Sequence, residues 1–145
     1  MKIIIEDLQP GDEEQIILRC HQINPELMRA INAHKVRRSM LVAYKDEEIH
    51  RISPTDVFYI ESLDNKTFLY CEREVYESRQ KLYELEETLA LGDFLRVSKS
   101  AILNLRKVKS LIPAFSGRLE AILRNNARVP ISRHYVRELK NTLGI

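Results

Sequence analysis

Short apolar stretches of strand length, separated by turn residues, dominate the chain from about residue 48 onward. Two of them, 57–61 and 67–72, flank the turn formers Asp64-Asn65, which is typical of a β-hairpin. Further strands are predicted at Glu48–Ile52, from Phe94, at Val108–Pro113, at 118–124 and at Arg128–Ile131. This pattern predicts an α+β fold that is mostly antiparallel sheet.

Two segments change to helical spacing, with apolar residues at i, i+3 and i+7. These residues are Leu82, Leu85 and Leu89 in the first segment and Val136, Leu139 and Leu143 in the second. Ser78 is the predicted N-cap of the first helix, and Gly92 its end. Ser132 is the predicted N-cap of the second helix, which Gly144 follows.

Residues 1–45 are predicted to form a separate small α/β segment. Stretches 2–6 and 15–19 are predicted strands on either side of a Pro-Gly-Asp turn at 10–12. Asn24-Pro25 is a helix start, helical spacing continues to about residue 36, and a third strand is expected at 39–44. The charged stretch 45–48 marks the boundary, so the predicted units are 1–45 and 46–145.

Composition narrows the class of protein. The 145 residues, 44% hydrophobic and 30% charged, fit a globular protein, and no apolar run approaches the ~18 residues of a membrane span. Cys20 and Cys71 are predicted free thiols in a reducing cytoplasm, and no second spaced Cys/His pair supports zinc. The four glycines are not clustered and no catalytic triad is suggested, so neither an enzyme nor a cofactor is predicted.

Charge is distributed unevenly behind a net value of +2. Residues 94–145 hold eleven Lys/Arg and two Asp/Glu, a net charge of +9, which leaves −7 for residues 1–93. Such asymmetry points to a surface for a polyanion, although a solvated basic surface is the alternative.

Two groups of residues in the basic part could contact nucleic acid. Arg133 lies at a helix N-terminus, where the macrodipole disfavours a cation, so function rather than stability explains it better. Ser98-Lys99-Ser100 interrupts an apolar stretch with small hydroxyls and a lysine that can donate to guanine. The alternatives are a solvated helix face and an exposed loop with Ser100 as a helix N-cap.

Three motifs together resemble the LytTR (LytR/AlgR-type) family of DNA-binding domains: "YIESLDNKTFLYC", "FLRVSKSAILNLRKVKSL" and "VPISRHYVRELK". The resemblance covers about residues 46–145 and implies loops, not a recognition helix, in successive major grooves. It implies base-reading residues at Lys66 or Thr67, at Lys99 and at Arg133. The expected phosphate contacts are Arg96, Ser98, Ser100, Arg118 and Arg137.

The resemblance also implies partners. Double-stranded promoter DNA is the expected ligand, bound by a homodimer on a repeated site. No phosphoacceptor receiver domain fits into residues 1–45, so we expect a stand-alone bacterial regulator in the cytoplasm. Residues 1–45 would serve dimerisation or a small integral membrane inhibitor protein, and the alternative function is an interaction module for such a partner.

Overall fold

Two antiparallel sheets and three α-helices make up the part of the chain that is described. The computed structural model describes residues 2–38, 40–90 and 92–145, without the side chains of residues 33 and 35–38. The helices are α1 (Pro25–Arg38), α2 (Leu82–Leu89) and α3 (Arg133–Leu143). The strands are β1 (Leu41–Lys45), β2 (Glu48–Ile52), β3 (Tyr59–Leu63), β4 (Lys66–Tyr70), β5 (Val75–Ser78), β6 (Phe94–Ser98), β7 (Ala101–Asn104), β8 (Val108–Pro113), β9 (Leu119–Leu123) and β10 (Arg128–Ile131). Single 3₁₀ turns lie at Pro54–Asp56, Leu105–Lys107 and Phe115–Gly117.

Strand pairing confirms the predicted α+β class. The larger sheet has the order β2-β1-β5-β4-β3-β7-β6, the smaller has the order β10-β9-β8, and every pairing is antiparallel. Strands β2, β8 and β10 have the bounds that the apolar pattern predicted.

The larger sheet separates two apolar cores because successive side chains of a strand point to opposite faces. In β7, Ile102 joins the core that α2 covers with Leu82, Leu85 and Leu89, whereas Leu103 joins the core that α3 and the smaller sheet cover. Each fully buried leucine contributes about 1.5–3 kcal/mol. The two cores hold β6 and β7 between α2 and α3.

Asn104 is buried at the end of β7, with 2% of its surface exposed. Its Nδ2 donates to the Val57 carbonyl at 2.8 Å, and its Oδ1 accepts from the Arg106 N–H at 3.1 Å. The side chain therefore satisfies backbone groups of two separate loops at the end of β7.

The start of α2 differs from the prediction. Ser78 is not its N-cap but the last residue of β5, a strand that the sequence pattern did not predict. Ser78 is 4% exposed, and its Oγ accepts from the Gln80 N–H at 3.2 Å. Lys81 is the N-cap instead, and the Glu84 carboxylate accepts from its N–H at 3.3 Å.

The first 45 residues contain the predicted helix but not the predicted strands at 2–6 and 15–19. Residues 2–23 form no strand, because neither stretch pairs with another strand within the described part of the chain. Helix α1 begins as predicted, with the Asn24 Oδ1 accepting from the Leu27 N–H at 2.8 Å. The third predicted strand corresponds to β1, although residue 39 lies outside the described residues. Because β1 pairs with β2 and β5, the β1–β2 hairpin crosses the predicted boundary at 45–46.

Candidate nucleic-acid interface

A two-residue turn, Lys99-Ser100, joins β6 to β7. The register of the two strands shifts between Arg96 and Ser98, which places a β-bulge at the fully buried Val97. The chain leaves the core after Val97, exposes Lys99 at the tip, and re-enters the core at Ala101. A strand follows Ser100, so the alternative that Ser100 caps a helix is wrong.

The Arg96 guanidinium holds this turn from inside. Its Nε donates to the Ser98 carbonyl at 2.6 Å, and a second nitrogen donates to the Lys99 carbonyl. The third nitrogen pairs with Glu86 of α2 at 2.5 Å, and only 19% of the Arg96 side chain is exposed. Arg96 was a predicted phosphate contact, but in this structure each of its three guanidinium nitrogens makes a bond within the chain.

The two serines of the turn differ in exposure. Ser98 is half-buried, and its Oγ accepts from the Ser100 N–H at 3.2 Å, which is a local bond that stabilises the turn. Ser100 is exposed, and its carbonyl accepts from the Ser62 N–H at 2.8 Å. The second of these bonds links the β6–β7 turn to the end of β3.

The β3–β4 hairpin ends in Asp64-Asn65, whose φ values of 50° and 62° are those of a type I′ turn. Lys66 follows the turn and is exposed, whereas Thr67 is 3% exposed and points into the protein. Of the two residues predicted at this tip, only Lys66 reaches solvent in this structure.

The first turn of α3 lies beside the β6–β7 turn. The N–H of Ser132, the residue before α3, donates to the Val97 carbonyl at 2.9 Å, so the bulge in β6 anchors the start of the helix. Ser132 occupies the predicted N-cap position, although its side chain makes no capping bond. Arg133 and Arg137, one helical turn apart, are both exposed.

These loops converge on one end of the molecule. The Ser62–Ser100 and Ser132–Val97 backbone bonds hold the β3–β4 turn, the β6–β7 turn and the start of α3 together. In the smaller sheet, Leu119 pairs with both Ile131 and Pro113, which puts the β8–β9 tip at the same end as the start of α3. We call this region the basic end; its exposed cations are Lys66, Lys99, Arg118, Arg133 and Arg137.

The cations of the basic end are not neutralised by the described ion pairs. Those pairs join Lys45 to Glu74, His50 to Glu48, Arg96 to Glu86, Arg106 to Asp93 and Arg128 to Glu120. Among the residues that the structure describes, the basic end therefore presents unpaired positive charge to solvent, which attracts a polyanion.

Phe115 is a feature of this end that the sequence analysis did not single out. It lies at the β8–β9 tip, close in sequence to Arg118, and 90% of its surface is exposed. An aromatic residue directly before a Ser-Gly turn in the basic part of the chain was the available signal.

The side chains with shifted pKa values lie away from the basic end. Burial raises the pKa of Tyr59 to about 12, and its ring stacks on Tyr70 with centroids 4.3 Å apart. Burial likewise raises the pKa of the Cys71 thiol to about 11. Within 2–38, 40–90 and 92–145, no cluster of His, Cys, Asp or Glu could hold a metal, and no helix is long and apolar enough to cross a membrane.

Comparison with known proteins decides the family. Residues 47–144 match the family model of the LytTr DNA-binding domain. The chain belongs to the LytTR family. The LytTr DNA-binding domain of a Bacillus cereus protein superposes with a TM-score of 0.71 at 25% identity, covering 74% of this chain and 99% of that domain. The predicted family and fold are thereby confirmed.

Two curated relatives differ in how much of them this LytTR chain spans. The sensory transduction protein LytT of Enterococcus faecalis is 29% identical over 142 residues, which are 95% of this chain but 59% of LytT. An HTH-type transcriptional regulator of Staphylococcus aureus is 29% identical over 135 residues, which are 92% of this chain and 91% of that protein.

Proposed function

We propose that this LytTR chain is a bacterial transcription regulator that binds promoter DNA sequence-specifically, with its basic end in the major groove. The observation that carries the proposal is the convergence of three loops and their unpaired cations on one end of the molecule. Loops separated by up to 70 residues in sequence are held there by backbone hydrogen bonds. Such an end is preorganised, so less conformational entropy is lost on binding.

We propose that Lys66, Lys99 and Arg133 contact the base edges. Lysine and arginine donate to guanine O6 and N7, which are accessible in the major groove. All three side chains are exposed, and each stands on a turn or helix start whose backbone is fixed by hydrogen bonds.

We propose that Arg118, Arg137 and the exposed hydroxyl of Ser100 contact phosphates. Ser98 is a weaker candidate because it is half-buried. Arginine side chains and small hydroxyls are common donors to phosphate oxygens, and these contacts orient a protein on the duplex without reading sequence. Because each neutralised phosphate releases counterions, binding through this set depends strongly on salt.

We further propose that two copies bind a repeated site in the cytoplasm. A repeated DNA site matched by a two-fold protein doubles the contact surface without changing the module. The alternative is an interaction module for a membrane inhibitor protein, and the exposed apolar side chains of residues 3–23 are the observation that favours it. A chain that selects no DNA sequence but is retained by membranes would support the alternative.

Selection of bound duplexes from a random library, followed by titration at several KCl concentrations, tests the proposal. We expect one sequence class to be enriched and log Kd to depend on log salt with a slope of about 0.9 per phosphate contact. Lys99→Ala and Arg133→Ala should each lose about 1–3 kcal/mol and relax preference at different base positions.

The matched control is Arg124→Ala. Arg124 is an exposed arginine that follows β9, at the end of the smaller sheet opposite to the start of α3. It should leave base preference unchanged. If Lys99→Ala and Arg133→Ala weaken every sequence equally, they contact phosphates and the base-reading assignment is wrong.

A further inference from the structure

Phe115 presents an aromatic side chain to solvent at the tip of the β8–β9 hairpin, with 90% of its surface exposed. The other three phenylalanines of the chain, Phe58, Phe68 and Phe94, are buried or half-buried. Isolated exposed apolar residues are common on protein surfaces, so exposure alone assigns no role to Phe115. A role follows from the turn that holds it and from the charges nearby.

A defined turn holds Phe115 at this tip. Ser116 has φ 59° and ψ 41°, and Gly117 has φ 74°, so both central residues are left-handed, as in a type I′ turn. The Arg118 N–H donates to the Phe115 carbonyl at 3.4 Å, and the Ala114 N–H donates to the Arg118 carbonyl at 2.9 Å. The backbone of Phe115 is therefore fixed before a ligand binds, and its ring has few rotatable bonds left to order.

The tip lies beside the start of α3. Pro113 of β8 and Ile131 of β10 pair with the same residue of β9, Leu119, so the three form one row across the smaller sheet. Phe115 and Arg133 each follow this row by two residues. Because neighbouring strands are about 4.8 Å apart, these two backbone positions are separated by on the order of 10 Å, or about three base pairs of a duplex.

The segment that carries this aromatic side chain is basic. Residues 94–119 contain six Lys/Arg and no Asp or Glu, and the next carboxylate along the chain, Glu120, pairs with Arg128 at 2.7 Å. Arg118, the last residue of the turn, is exposed. The charge of the segment favours a polyanion at the tip. Duplex DNA is the polyanion that fits, because the tip lies beside the cations proposed to contact bases and phosphates.

The chemistry of phenylalanine limits what Phe115 can contact on DNA. Its ring has no conventional hydrogen-bond donor or acceptor, so it reads neither guanine O6 and N7 nor a phosphate. The apolar group on the base edges of the major groove is the C5-methyl of thymine, on which phenylalanine can pack. Insertion of the ring between base pairs would first require unstacking, which costs free energy. The thymine methyl is the ligand that needs no deformation of the duplex.

We propose that Phe115 packs against the C5-methyl of a thymine in the major groove and adds an A·T preference to the guanine contacts of Lys99 and Arg133. This proposal rests on the DNA-binding function proposed above and names a further specificity residue for it. The thymine should lie within about five base pairs of the base that Arg133 reads, because the side chains add several ångströms to the backbone separation.

The test removes the methyl group and the aromatic ring separately and together. Each thymine near the Arg133 position of a selected duplex is replaced in turn by deoxyuridine, which lacks only the C5-methyl, and Kd is measured by fluorescence anisotropy. For the wild-type chain, one such replacement should raise Kd about fourfold, as expected for the loss of one buried methyl group. Phe115→Ala should raise Kd at least as much on the thymine duplex and should abolish the effect of the deoxyuridine replacement.

Two control variants accompany Phe115→Ala. Tyr83→Ala removes another exposed aromatic ring, which is 62% exposed on α2, the helix that covers the other core. This variant should change neither Kd nor the deoxyuridine effect. Phe115→Leu keeps an apolar side chain and should retain part of the deoxyuridine effect. Thermal unfolding of both Phe115 variants should match that of the wild type, because so exposed a ring contributes little to packing.

A deoxyuridine effect of equal size in the wild type and in Phe115→Ala would overturn the proposal and leave the DNA-binding function intact. Absence of any sensitive thymine, with thymines in the wild-type complex becoming reactive to permanganate, would also overturn it and place the ring between base pairs. Unchanged DNA binding by Phe115→Ala, with lost binding to phosphatidylglycerol vesicles, would overturn it in favour of a membrane surface. A wild-type chain that selects no duplex from a random library would refute the DNA-binding function itself, and this proposal with it.

Discussion

Arg96→Ala separates two roles that a basic residue near DNA can have. The Arg96 side chain donates to the carbonyls of Ser98 and Lys99 and pairs with Glu86, so it supports the turn that presents Lys99. A phosphate contact would instead have to use the guanidinium N–H groups that these three bonds leave over. We predict that Arg96 acts on DNA through the position of Lys99.

The expected loss of stability follows from those contacts. A hydrogen bond from a charged donor contributes about 1.5–3 kcal/mol, but the two turn carbonyls can regain water when Arg96 is removed. Glu86 is 45% exposed, so its ion pair adds only about 0–1 kcal/mol. We expect Arg96→Ala to lower the free energy of unfolding by about 2–3 kcal/mol. In Arg96→Ala the loosened turn must also be ordered when DNA binds. This should weaken binding by about 1 kcal/mol, which is a roughly fivefold increase in Kd.

The assay combines urea unfolding with fluorescence anisotropy on a selected duplex at a series of KCl concentrations. If Arg96 only positions Lys99, the salt dependence of Kd is unchanged in Arg96→Ala. Arg96→Lys, which retains the charge but not the planar fork, should lose comparable stability. A slope reduced by about 0.9 in Arg96→Ala, with unfolding unaffected, would refute this reasoning and restore the phosphate contact.

Three further outcomes follow from the same structure. Asn104→Ala should lower the free energy of unfolding by about 1–3 kcal/mol in urea titrations, because it leaves the Val57 carbonyl without its donor. Iodoacetamide at pH 8 should label Cys71 slowly, since burial raises the pKa of this thiol to about 11. The stability that the buried, protonated thiol contributes should be complete below its ordinary pKa of 9.0 and should be lost as the pH rises from 9.0 toward 11. Lys66→Ala should weaken DNA binding by about 1–3 kcal/mol, whereas Thr67→Ala should mainly lower the melting temperature.

Local signals predicted the parts of the fold that local chemistry determines. Asp64-Asn65 adopt left-handed φ values readily, so this hairpin was visible in the sequence. Strand β5 was not, because Val75–Ser78 is short and polar at two of its four positions and is stabilised by pairing with β4 and β1. Residues 2–6 were predicted as a strand but do not form one, because a segment with strand propensity needs a partner strand to pair with.

The candidate site was predictable as a set of loops but not as a set of contacts. The bulge at Val97 connects the β6–β7 turn to α3, and no sequence pattern indicates that bond. Glu86, ten residues before Arg96, pairs with the Arg96 guanidinium, and no sequence pattern indicates that contact. At the β3–β4 tip, strand alternation decides that Lys66 is exposed and Thr67 is buried.

Methylation interference at guanine N7 on a selected duplex tests most directly whether the basic end reads the major groove. The account predicts that wild-type binding is blocked by methylation at specific guanines. Lys99→Ala and Arg133→Ala should each lose the interference at a different subset of them, because N7 lies in the groove that these side chains would enter. An interference pattern identical in both variants and the wild type, or no interference at any guanine, would contradict the account.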